Sequence, residues 1–276
     1  MPNKFLGQHF LKNAAIAQKI VAALQPEHGD VIFEIGAGHG ELTRLLAEAC
    51  TKNGCELFAI EKDRHLAGEL AQRFKTNGVE IIADDALAFF TSSLPEKSRG
   101  RSYKIVGNIP YYFTGRLFRV VSELEAKPAR CVLMVQKEVA ERIAAKPPKM
   151  NRLAASVQFW ADVKVIAPVP RENFLPAPKV DSAIISLDLT NDKKRAENIP
   201  ADHYYAAVRS LFAQPRKTVL NNLGGHGTQE EREMAASILK KIGVPQESRP
   251  QNLTVEEIMA IAKAILNERF GDNHMA

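Results

Sequence analysis

An open α/β sheet wound in both directions from its first strand, followed by a small helical domain, is the architecture this sequence of 276 residues predicts. Three observations predict it. Short apolar or β-branched runs recur through the first two-thirds and alternate with helix-like segments, which indicates strands buried on both faces of a mostly parallel sheet. The first of these runs ends in a glycine-rich turn. After Leu189 the texture becomes polar and then wholly helical.

In chain order, the parallel strands are "VIFEI" from Val31, "LFAIE" from Leu57, "VEIIA" from Val79, "YKIVG" from Tyr103 and "CVLMVQ" from Cys131. The next two runs, "VKVIAPV" from Val163 and "SAIISLDL" from Ser182, are joined by "PRENFLPAPKVD", too short for a crossover helix. They are expected to pair antiparallel at one edge. "TNDKKRAENIPAD" reads as a linker, and helices are expected over Tyr204 to Ala213, Gln229 to Ile242 and Val255 to Arg269. The domain boundaries drawn from this pattern are 1–190 and 191–276.

Composition narrows the function. An apolar share of 45% with 25% charged residues is ordinary for a globular chain, and a net charge of +5 favours a polyanionic partner such as nucleic acid. No apolar run approaches the ~18 residues of a membrane span, and "MPNKFLGQHFLKN" lacks the hydrophobic region of a secretory signal. A cytoplasmic protein with no membrane partner is expected. Cys50, Cys55 and Cys131 have the spacing of neither a zinc site nor a disulfide framework, and read as buried free thiols. No two histidines stand at metal-ligand spacing, so no metal is expected.

The turn after the first strand reads "FEIGAGHGELT". Gly36, Gly38 and Gly40 precede a helix opening near Glu41. Glycines allow positive φ and a close approach of backbone to ligand. Their spacing is not the G-x-G-x-x-G of dinucleotide sites, which disfavours a nicotinamide oxidoreductase. The second strand ends at Glu61, a carboxylate suited to both hydroxyls of a ribose, and the third at Asp85, suited to an adenine amino group. A glycine loop alone is often only a tight turn. With two acceptors on the next two strand tips, it fits a nucleoside without phosphate, S-adenosylmethionine.

The fourth strand runs into "GNIPYYFTG". An adenine's exocyclic amine is a poor nucleophile because its lone pair is delocalised into the ring. Two acceptors aimed at its hydrogens favour a pyramidal nitrogen whose lone pair faces an electrophile. The Asn108 side-chain oxygen and the carbonyl of Ile109 or Pro110 are candidates for them. Pro110 fixes the bend, and Tyr111 is a platform on which an extruded base can stack. The plain alternative is a structural turn whose tyrosines cover the core.

These stretches, together with "KFLGQHFL" (Lys4 to Leu11), "VQKEVAERIAA" (Val135 to Ala145), "NFLPAPKVDS" (Asn173 to Ser182) and "LFAQPRKTVLNNL" (Leu211 to Leu223), closely resemble the KsgA family of bacterial small-subunit rRNA adenine dimethyltransferases. The resemblance spans nearly the whole chain. It implies a Rossmann-like, S-adenosylmethionine-dependent methyltransferase sheet of seven strands, the last antiparallel, with a C-terminal helical domain that recognises rRNA. It also implies transfer of two methyl groups to each of two adjacent adenines near the 3′ end of 16S rRNA, within the small ribosomal subunit or its precursor. By the same resemblance His9 and Leu11 close over the cofactor, Gly36, Gly38 and Glu61 hold its methionine and ribose portions, Asp85 meets its adenine, and Asn108 touches cofactor and target. Phe174 covers the face of the target base opposite Tyr111, and a monomer is expected. The related large-subunit methylases share the NIPY core but match "KFLGQHFL" and "PRKTVLNNL" less well. A binder that had kept only the fold would show loss at Glu61, Asp85 or Asn108, and none is lost.

The chain departs from the family pattern in a shortened "AAKPPKMNRLAAS" loop and in Pro215, where a second basic residue is common. Arg209, Arg216 and Lys217 in the tail are expected to meet phosphate. Arg142, Lys146 and Arg152, with Lys149, are either a solvated face or a contribution to the same groove from the catalytic domain.

Overall fold

The computed structural model describes residues 9–98, 100–190, 199–225 and 228–270, and the chain divides into two compact units, 1–141 with 162–190, and 142–161 with 191–276. The residues Lys4 to Gln8 of the "KFLGQHFL" motif lie outside the described residues.

Among the described residues of the first unit nine strands form: β1 (Phe10–Leu11), β2 (Val31–Ile35), β3 (Glu56–Ile60), β4 (Val79–Ile82), β5 (Tyr103–Asn108), β6 (Arg130–Gln136), β7 (Asp162–Val169), β8 (Phe174–Leu175) and β9 (Ser182–Asp188). Seven of them make one sheet in the order β4-β3-β2-β5-β6-β9-β7, and β1 with β8 forms a separate two-stranded ribbon. β4, β3, β2, β5 and β6 run parallel, and β9 is antiparallel to both β6 and β7. The expected hairpin-like pair is therefore present, with β9 inserted inward and β7 left at the edge. Every residue of β2 is buried, whereas β7 exposes Val165 and Ile166 beside a register shift between Val165 and Ala167. A bulge at that position is a common way to blunt an edge strand.

Chain order reverses at β2, which pairs with β3 on one side and β5 on the other. The carboxyl ends of those strands consequently open a crevice, the usual ligand position in such sheets. Close approach of β2 and β5 depends on a glycine. A Cβ on Gly107 would stand 2.5 Å from the Ile35 carbonyl oxygen. Behind the sheet, α1 (Ala14–Leu24) and α2 (Glu41–Asn53) bury Ile20, Leu24 and Leu46 against Ile32, Val106 and Val132. Asn13 caps α1 by accepting the Ala15 N–H at 3.0 Å.

The cysteine expectation is corrected in part. Cys50 and Cys55 are joined by a disulfide, and only Cys131 is a buried free thiol. The pairing is local. Cys50 lies in the last turn of α2, and Gly54 at φ 73° reverses the chain, so the two Cα atoms come within 4.6 Å.

The second unit is helical, with helices Ala201–Leu211, Val219–Gly224, Gln229–Ile242 and Val255–Phe270. It also takes in α8 (Arg152–Gln158), which the sequence boundary at 190 had left with the sheet. Packing explains the difference. Ala154, Ala155 and Phe159 share a core with Tyr204, Ala207 and Ile258, the Phe159 and Tyr204 rings stack at 3.9 Å, and Tyr204 donates its hydroxyl hydrogen to the Ala155 carbonyl at 2.9 Å. The helix at Gln229 opens with the capping box of Thr228 and Glu231 and ends at Gly243. Among the described residues no helix is long and apolar enough to cross a membrane.

Gly107→Ala is expected to lower stability by about 1–3 kcal/mol through overpacking between β2 and β5. Urea unfolding checks this as a lower midpoint at unchanged slope.

Candidate active site

The crevice at the ends of β2, β3, β4 and β5 is a cleft of about 1040 Å³, part of it open to solvent, lined by Gly36, Gly38, Glu61, Asp85, Asn108 and Tyr111 among others. Its floor is the glycine turn. Gly36, Gly38 and Gly40 have φ of 69°, 58° and 82°, a conformation that side chains with a Cβ rarely adopt. A Cβ on Gly38 would meet the Phe10 ring at 2.9 Å, so the turn and the ribbon close on each other only through glycine.

Glu61 is almost fully buried and its two oxygens are held apart by backbone. Oε2 accepts the Gly38 N–H and Oε1 the Asp63 N–H, each at 2.9 Å. Each oxygen keeps a lone pair, so two further donors, such as vicinal hydroxyls, can be received. Asp85 caps α4 (Ala86–Ser92) by accepting the Leu87 N–H at 2.9 Å, and pairs with Lys62 at 2.9 Å. Burial pushes its carboxyl up, but Lys62 and the backbone amides outweigh that and hold it below the usual carboxylate range. An adenine amine would share an oxygen that already faces a cation.

Asn108 ends β5 at the lip. Its Nδ2 donates to the His9 carbonyl at 2.7 Å. A carbonyl oxygen can only accept, so this bond settles which way the amide points, and Oδ1 receives no hydrogen bond from the described residues. The Pro110 carbonyl is taken by the Phe113 N–H at 2.9 Å, which leaves the Ile109 carbonyl as the freer acceptor. The Ile109 side chain is in the core and contributes only through its backbone.

Tyr111 and Phe174 both line the cleft, with Phe174 itself almost wholly buried in the core beside Leu11. The Tyr111 hydroxyl also bonds Ser182 Oγ at 2.9 Å, an anchor the sequence did not suggest, and burial raises its pKa. His9 lies with its ring 6.0 Å from that of Tyr111, and its Nδ1 is 2.8 Å from the Pro176 carbonyl oxygen. The Leu11 side chain is buried in the core with Phe174, its partner across the ribbon, and Phe10 lines the cleft. Alternation along a strand allows only one of the two adjacent residues to face the ligand side.

Two features were missed from sequence. Lys62, the partner of Asp85, was not singled out. Glu34, the acid in "FEIG", is buried, and its Oε2 has no partner. Burial pushes its pKa from 4.5 to about 8, with Glu61 and Glu41 adding to the rise and Thr43 opposing it. Among the described residues no cluster of His, Cys, Asp and Glu could hold a metal ion. All seven basic residues singled out from sequence, Arg142, Lys146, Lys149, Arg152, Arg209, Arg216 and Lys217, belong to the second unit. They are exposed, and none has an ion-pair partner among the described residues.

A doubly wound sheet with glycine turn, ribose-type carboxylate and adenine-type acid on successive strand tips, and N-I-P-Y on the next, defines an S-adenosylmethionine-dependent amino methyltransferase. Residues 2–266 match the family model described as ribosomal RNA adenine dimethylase, and the chain belongs to that family. It is 34% identical over 267 residues to the ribosomal RNA small subunit methyltransferase A of Clostridioides difficile, covering 95% of this chain and 90% of the relative. The protein of the same name from Lactobacillus helveticus is 36% identical over 281 residues, with 95% and 90% covered. Among solved structures, a dimethyladenosine transferase from Plasmodium falciparum superposes with a TM-score of 0.77 at 24% identity, over 96% of this chain and 98% of that one. The 23S rRNA methyltransferase ErmE gives 0.73 at 21%, over 92% and 98%. At these identities the two structures speak for the fold. The chain is thus an rRNA adenine methyltransferase, with S-adenosylmethionine as its cofactor.

Folding takes up a proton at Glu34, because its folded pKa exceeds the unfolded value. Stability of the cofactor-free protein should therefore fall as pH rises from 4.5 to about 8. Glu34→Gln removes that penalty. Its stability relative to the parent should rise across the same window, by up to a few kcal/mol, and denaturant titrations at both ends of the window check the sign.

Proposed function

We propose that this enzyme dimethylates N6 of two adjacent adenines near the 3′ end of small-subunit rRNA, on the subunit or its precursor, as a cytoplasmic monomer. The observation that carries the chemistry is the Asn108 amide, fixed through Nδ2 on the His9 carbonyl so that its free Oδ1 lies in a cleft shared with Tyr111 and Phe174. S-adenosylmethionine supplies an electrophilic methyl group on its sulfonium. Asn108 Oδ1 and the Ile109 carbonyl accept the two amine hydrogens, and neither carries a net charge into the site. Tyr111, tethered through Ser182, and Phe174 hold the base between them. Positioning and preorganised acceptors suffice, and no covalent intermediate on the protein is required. Glu61, Gly36 and Gly38 hold the ribose and methionine portions of the cofactor and Asp85 its adenine, while His9 and the ribbon cover them.

A pocket that reads one adenine cannot select two among all those of a ribosome. Selection is assigned to the second unit, whose exposed, unpaired Arg142, Lys146, Arg152, Arg209, Arg216 and Lys217 suit the phosphates of a folded RNA. The names of the Clostridioides and Lactobacillus relatives support the small subunit as the target.

Three outcomes test this reading. Asn108→Ala should slow single-turnover transfer by roughly 100-fold or more with far less loss of cofactor binding, and a rate within about threefold of the parent would refute the role. Tyr111→Ala and Phe174→Ala should each weaken capture of the base by about 1–3 kcal/mol, seen in the particle KM, whereas Tyr111→Phe loses only the Ser182 bond and should be mild. Arg216→Ala with Lys217→Ala should keep cofactor affinity, lose particle binding, and make its salt dependence shallower by up to about two units. Full-length variants are preferred to truncation near Thr190, which would strip Ala155 and Phe159 of their Tyr204 partner.

A further inference from the structure

The lip of the cleft carries a second cluster that the chemistry above does not use. Tyr112 follows the base platform Tyr111, lines the same cleft, and is 58% exposed. A tyrosine at a surface is ordinary, but this one is held. The Phe113 N–H to Pro110 carbonyl bond closes the turn beneath it, and its ring meets that of Phe113 edge-on at 6.5 Å. Arg116, on the first turn of α6 (Thr114–Glu123), also lines the cleft, is exposed, and has no ion-pair partner among the described residues. Gly115, next to Arg116 in the chain, has no side chain, and a Cβ built there would meet nothing within 4 Å, so the surface at that point is open.

Charge makes the cluster directional. Lys62 already spends its ammonium on Asp85 at 2.9 Å, which raises its pKa, and Arg116 is near enough that its field works against that rise. A guanidinium left in that position is relieved by an anion arriving from solvent. An aromatic face beside an unpaired arginine is the combination with which proteins seat an unpaired nucleotide: the base stacks, and the phosphate meets the guanidinium.

We infer that Tyr112 and Arg116 seat the second adenine of the pair, the neighbour of the one between Tyr111 and Phe174, with Arg116 on the phosphate that links them. This rests on the adenine-pair reading above and deepens it. When one adenine leaves its stack to enter the pocket, its neighbour loses a stacking partner. Tyr112 replaces that partner, and the second adenine waits one nucleotide from the pocket, so both bases are modified without release of the particle.

The test uses the full chain and small-subunit particles lacking the modification, with methyls located base by base. Tyr112→Ala should raise the particle KM about tenfold, leave cofactor affinity within about twofold, and accumulate particles modified at one adenine of the pair. Tyr112→Phe should behave as the parent because stacking needs only the ring. Arg116→Ala should raise KM similarly and make the salt dependence shallower by about one unit. On particles whose neighbouring adenine is replaced by uridine, the parent's KM should rise toward that of Tyr112→Ala, and the variant should not respond further. Unchanged KM and full pair modification in both alanine variants would overturn the inference while leaving the proposed function standing. Cofactor affinity lost along with KM would also overturn it, by placing the cluster on the cofactor. A parent inactive on particles would overturn the proposed function, and this inference with it.

Discussion

One hydrogen bond organises the active site, that from Asn108 Nδ2 to the His9 carbonyl, across 99 residues of sequence. It joins the tip of β5, which carries the proposed acceptor, to the N-terminal segment that lines the cleft. Several other bonds hold that segment in register. Lys12 N–H reaches the Asn173 carbonyl at 2.9 Å, Asn13 donates to the Asn173 side chain at 2.7 Å, and His9 reaches the Pro176 carbonyl oxygen at 2.8 Å. The ribbon of β1 and β8 is thereby pinned above the glycine turn, with Phe10 against His39 and over Gly38. Phe174, opposite Leu11 in the ribbon, is set in the same stroke. Cover, platform and acceptor are consequently one assembly rather than three independent residues.

Beneath this assembly lie two carboxyls of different character. Glu61 accepts one backbone amide on each oxygen, which aims both while leaving each a lone pair, and Glu34 is buried with an oxygen that finds no donor. Burial favours the protonated form of Glu34 up to about pH 8, so the floor of the site does not carry two adjacent negative charges at neutral pH. Asp85 is balanced in the opposite sense, by a cation at the rim.

Much of this was legible in sequence because it is local. The strands of the sheet, the glycine turn, the acids at the ends of β3 and β4, and the helix at Gln229 all follow from short-range pattern. The ribbon was not legible, because a strand of two residues has no periodicity, and its existence depends on pairing between residues far apart in sequence. That Phe10 lines the cleft while the Leu11 side chain is buried was not legible for the same reason: which of two neighbours faces the cleft is decided by the partner strand. The assignment of 142–161 to the helical unit turns on Phe159 meeting Tyr204, again a distant pair. The Cys50 and Cys55 disulfide is local, but it depends on the reversal at Gly54, which cysteine spacing alone does not show. Glu34 looked like any strand residue, and only burial without a donor marks it.

If the Asn108 to His9 bond does orient the acceptor, then an acceptor oxygen alone is not enough at this position. Asn108→Asp separates the two requirements, since it retains oxygen acceptors and loses the donor that meets the His9 carbonyl. The decisive measurement is single-turnover methyl transfer to small-subunit particles by this variant at saturating cofactor. The account predicts a rate no better than that of Asn108→Ala, within about threefold. A rate within about tenfold of the parent would contradict it and show that the His9 carbonyl does not set the geometry of the reaction.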